Sequence, residues 1–148
     1  MSLQDWLTEG KLKQHTSSLK EIQSLFLVID RDIADAQIMR VSADRRFATA
    51  YNAALQLATV VLLASGYRVI TGKGHHFLTI SSLQYTMGQS AVSRLNYLNS
   101  CRQLRNKTDY DRAGVTDEQE VEELLTEVSQ FRKDVVAWLE KHYPHLNN

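Results

Sequence analysis

Cysteine occurs once in this chain of 148 residues, at position 101, proline once, at 144, and glycine six times. A lone Cys101 excludes an internal disulfide and a cysteine-rich zinc site, which fits a protein of the reducing cytoplasm. With so few prolines and glycines against abundant Leu, Ala, Gln, Glu and Arg, little interrupts helices. Excess charge of one sign is also missing. The 17 basic residues balance 17 acidic ones, which argues against coating nucleic acid by bulk charge and makes any anion site a local one. The N-terminal residues have no apolar run and carry Asp5 and Glu9, unlike a secretory signal. The most apolar segment, Ala53 to Ala64, is short for a membrane span and is interrupted by Gln56 and Thr59. These absences leave a single all-α domain over residues 1–148, cytoplasmic and without a membrane partner. It is long enough to bury roughly two-thirds of its unfolded surface.

What is present is helical patterning. Residues 3–13 carry Leu3, Trp6 and Leu7 at the spacing of a short helix. From Ser17 or Ser18 as N-cap, Leu19, Ile22, Phe26, Ile29 and Ile33 form one apolar stripe that runs to about Arg40. Ser42 can cap a second long helix, apolar almost all round from Phe47 to Ala64 and therefore central, with Gly66 at its left-handed end. Tyr51 and Asn52 are the polar groups it buries, and both need hydrogen-bond partners. Gly66 to Gly74 is a loop. Its Gly-Lys-Gly lacks the glycine spacing, the following Ser or Thr and the preceding strand of a phosphate-binding loop.

Phe77, Ile80, Leu83 and Met87 mark a shorter helix, closed by Gly88 and Ser90. Thr116 with Gln119 has the form of a capping box, after a turn at Asp111 to Val115. It opens a last helix with Val121, Leu124, Leu125, Val128, Phe131, Val135 and Leu139 on one stripe, ending before Pro144. The expected fold is an antiparallel up-and-down bundle of four to five main helices, with its core over residues 17–142. Trp6, Trp138 and Cys101 read as packing residues, and Glu118, Glu120, Glu122, Glu123 and Glu127 as a solvated helix face.

Chemistry concentrates in Arg94 to Arg112, RLNYLNSCRQLRNKTDYDR. At about 100° per residue, the face carrying Ala91, Leu95 and Leu98 goes on to carry Arg102, Arg105 and Asp109, with Asn99, Asn106 and Tyr110 at its edge. Buried charge without a partner costs several kcal/mol, so these groups must pair across the bundle, reach a cleft or meet another subunit. The plainer reading is that they tie the helix to its neighbours, Arg105 pairing with Asp109 one turn on. The sharper reading is an anion site, because basic residues outnumber Asp109 and Asp111 here.

FATAYNAALQLATVVLLASGYR, then TGKGHHFLTI, then LRNKTDYDRAG together resemble the HEPN domain family, the helical "higher eukaryotes and prokaryotes nucleotide-binding" bundles. The likeness covers about residues 40 to 140 and is nearest to small bacterial members with an Arg-x-x-x-Asp-Tyr ending. It implies a four- or five-helix bundle, commonly a homodimer with polar clefts near the two-fold axis. It also implies links to RNA cleavage, to toxin and antitoxin pairs, or to a nucleotidyltransferase partner. In the nuclease members an Arg is followed after four to six residues by a His. Arg105 fits the first role, and Tyr110 stands at the place of the second, where a phenol is a poor base at neutral pH.

The expectation is therefore a module that binds RNA or a nucleotide phosphate through Arg102, Arg105, Asn106 and Lys107, supported by Asn99, Asp109, Tyr110 and Tyr51. Cleavage would be weak or absent, with Arg105 and Tyr110 as the catalytic candidates. The alternatives are an interaction partner of a nucleotidyltransferase and an active metal-independent ribonuclease. No cofactor or metal is implied. His75 and His76, adjacent and so about 100° apart on a helix, read as the start of one. His142 and His145 flank Pro144, and His15 lies between helices.

Overall fold

The computed structural model describes residues 1–147 apart from 71, 73 and 111–113, with backbone alone at 108–110. Among the described residues 75% are helical and the sheet is a two-stranded ribbon, so the fold class is all-α. Four long helices build the bundle: α2 (Leu19–Ala36), α3 (Ala43–Ala64), α6 (Val92–Tyr110) and α7 (Glu118–His142). Short helices α1 (Leu3–Thr8), α4 (His75–Ser81) and α5 (Leu83–Thr86) and strands β1 (Leu12–Gln14) and β2 (Tyr67–Val69) complete it.

α3 is the axis. Its residues are apolar on nearly every side, so it is buried by α2, α7, α6 and α4 together. The helix is longer than its most apolar segment and, at 22 residues, meets the length and hydropathy of a membrane span. This corrects the expectation that the segment is too short, yet 72% of that window is buried by protein. Gly66 follows it with φ 98°, the left-handed conformation expected there, and its carbonyl accepts the His15 N–H.

Caps set the helix starts. Ser18 is the N-cap of α2, accepting the Glu21 N–H, while Ser17 donates to the Leu63 carbonyl and ties this corner to the end of α3. α2 stops at Ala36, short of Arg40, and the carbonyl left at its end accepts from a side chain, the Nε of Arg46, at 2.8 Å. The expected capping box at Thr116 lies one residue on. Asp117 accepts the Glu120 N–H and Glu120 accepts the Asp117 N–H, whereas the Thr116 N–H is drawn out of the helix to Asp44 at 3.0 Å. The Gly114 N–H also goes to Asp44, which lowers the Asp44 pKa.

Three other expectations are corrected. The helix over 3–13 ends at Thr8, and the chain continues as β1, which pairs antiparallel with β2 inside the supposed loop, Leu12 opposite Val69. This ribbon encloses a second small core of Trp6, Leu12, Leu62 and Val69. The helix of Phe77 to Met87 is two, α4 and α5, and Phe77 is not on its buried side. The carboxylates of Glu118 and Glu122 are exposed but not idle, since they pair with the buried Arg46, and Glu127 pairs with Arg94. Asn52 finds its partner in Asp32, at 2.6 Å.

Candidate functional site

The inner face of α6 runs as its spacing requires. Leu95, Leu98 and Cys101 are buried against α3, and the same face then presents Arg102 and Arg105, both half-buried. The burial of Cys101 pushes its thiol up to about 11, so it is a protonated packing group. Opposite the arginines lies α4, which starts after Gly74 at φ 83°, a turn that glycine makes without strain. Because α4 packs on both α3 and α6, it carries His75, His76 and Phe77 to the arginines.

A cleft of about 430 Å³ opens between them, lined by Gly72, Gly74, His75, His76, Phe77, Arg102, Arg105 and Asn106. Tyr51 of α3, 1% exposed, lies beneath it. The guanidinium carbon of Arg105 stands 6.0 Å from the Tyr51 ring centre, and Arg105 Nη1 donates to Asn106 Oδ1 at 3.4 Å. Arg102 Nε donates to Asn99 Oδ1 at 3.4 Å, and its guanidinium carbon lies 5.6 Å from the ring centre of Phe77.

Four other arginines differ in their partners. Arg46 pairs with Glu118 and Glu122, and Arg94 with Glu127 and Asp134. Arg132 pairs with Asp30, and the exposed Arg31 with Asp32. Arg102 has an amide and an aromatic face, with no carboxylate of the described residues within ion-pairing distance. A half-buried guanidinium satisfied only by neutral groups keeps its charge available to an anion.

Two histidines complete the lining. His76 Nδ1 and the Tyr51 hydroxyl share a hydrogen bond of 3.3 Å. Burial first, then His75, Arg105 and Arg102, lower the His76 pKa, so the ring is neutral at neutral pH. In the tautomer whose Nδ1–H donates to Tyr51, Nε2 carries the lone pair. Burial raises the Tyr51 pKa far above its usual value against the pull of both arginines, so the phenol holds its proton and serves as a hydrogen-bonding post. His75 Nδ1 is buried and has no hydrogen-bond partner among the described residues.

Of the residues singled out by sequence, Arg102, Arg105 and Asn106 line the cleft, Asn99 holds Arg102 and Tyr51 lies below. Lys107 is exposed and takes no part in the lining. The side chains of Asp109 and Tyr110 lie outside the described residues, as do Asp111 and Arg112. Sequence reasoning placed His75 and His76 correctly at a helix start but did not bring them to the arginines. It also set Gly72 and Gly74 aside with the rejected phosphate-loop motif. Compared with protein-family models, curated proteins and solved structures, the chain matches none.

Proposed function

We propose that this chain is a HEPN-type helical module whose cleft between α4 and α6 holds a phosphate of RNA or of a nucleotide. The observation that carries the reading is Arg102: half-buried, aimed at an open cleft beside Arg105, and paired with no described carboxylate. The balanced net charge is compatible with this, because a few cations in a concave site act locally where bulk charge does not. The test is binding of a labelled single-stranded RNA by anisotropy. Arg102→Ala is expected to weaken it about ten-fold or more with the melting temperature unchanged, and unaltered affinity would refute the proposal. The resemblance also implies a second copy or a nucleotidyltransferase as protein partner, which a mass measurement of the purified assembly checks.

A second reading, metal-independent RNA cleavage, is favoured by one observation, the neutral His76 beside two guanidiniums. Its Nε2 would take the proton of a ribose 2′-hydroxyl as the 2′-oxygen bonds to phosphorus. The 5′-oxygen leaves with a proton from water, giving a 2′,3′-cyclic phosphate and a 5′-hydroxyl. Arg102 and Arg105 would hold the charge that builds on phosphorus oxygens. Incubation of structured RNA in chelator separates the readings. Cleavage that disappears in His76→Ala and persists in Tyr110→Phe supports this chemistry, and intact RNA leaves binding alone.

A further inference from the structure

Phe77 stands out among the lining residues. Its neighbours on α4 turn inward: Thr79, Ile80 and Ser81 are buried, and Leu78 packs on the small core of Trp6 and Val69. Phe77 is 42% exposed, and it is the one exposed side chain among the described Phe, Tyr and Trp residues. A single exposed apolar residue is ordinary on a protein surface. This one lies in the wall of a cationic cleft, with a guanidinium over its ring.

We infer that Phe77 is a stacking platform for a nucleobase, so that the ligand is a free nucleotide or an unpaired stretch of a strand. The inference rests on the phosphate reading of the cleft and goes beyond it. A phosphate alone needs only the guanidiniums, whereas about 430 Å³ is room for a whole small ligand. In a nucleotide the charged group and the flat apolar group flank one sugar, and the cleft offers guanidiniums and an aromatic face in the same adjacency. Arg102 links the two, since its guanidinium carbon lies 5.6 Å from the Phe77 ring centre while its Nη groups, unlike the Nε that donates to Asn99, remain available for phosphate oxygens. Bases in a duplex are already stacked and paired, so their faces cannot meet Phe77, whereas unpaired bases stack on aromatic rings in this way.

The test compares adenosine 5′-monophosphate with ribose 5-phosphate by calorimetry, two ligands that share sugar and phosphate and differ by the base. The wild-type chain is expected to prefer the nucleotide about ten-fold. Phe77→Ala and Phe77→Leu, both at an exposed position, should bring the nucleotide down to the affinity of the sugar phosphate, and Phe77→Trp should keep the preference. Equal affinities in the wild type, both falling in Arg102→Ala, would overturn the stacking inference and leave the phosphate site standing. So would a preference that survives in both Phe77→Ala and Phe77→Leu. Binding of neither ligand, or binding indifferent to Arg102→Ala, would sink the phosphate reading and the platform with it.

Discussion

His76 is where the electrostatics of the cleft can be read most directly. Its ring is held neutral by burial, by His75 and by both arginines. A bound phosphate adds negative charge and offsets the guanidiniums, so it must raise the His76 pKa, and by linkage the ligand must bind more tightly as pH falls. NMR titration of the His76 ring proton should give a pKa below the usual 6.5 without ligand and a higher one with adenosine 5′-monophosphate. A pKa that does not move would place the ligand elsewhere. The sign for stability is the opposite of that for binding. The unfolded chain takes up a proton at His76 near its ordinary value while the folded chain resists it, so this residue's contribution is present above that pH and is lost as pH falls through it.

At the scale of elements, one buried side chain decides how α2, α3 and α7 meet. Arg46 is 1% exposed, donates to the Ala36 carbonyl and pairs with Glu118 and Glu122 in the first turns of α7. Arg46→Ala leaves that carbonyl unsatisfied and a cavity behind, and should cost about 3 kcal/mol in urea unfolding. A loss under about 1 kcal/mol would mean that the helices meet without it. The long helices were legible because 18 to 25 residues carry the helical repeat many times. Strands β1 and β2, three residues each, contain too little alternation to read. Arg46 was invisible for another reason: its partners lie on α7, more than 70 residues on.

The same distinction governs the whole molecule. Arg102, Arg105 and Asn106 were legible because they interrupt an apolar face of one helix. Their meeting with His75, His76 and Phe77 was not, since it depends on α4 docking against α6 across the turn at Gly88. Nor did a balanced composition reveal how its charges are spent. Several arginines are matched to carboxylates of the chain, and the charge on Arg102 is left facing the cleft. The central claim is that this charge meets phosphate. Its most direct test is the salt dependence of single-stranded RNA binding, as the slope of log affinity against log salt for the wild type, Arg102→Ala and the double variant with Arg105→Ala. Each removed contact should flatten the slope by roughly 0.7. Three parallel lines would contradict the claim.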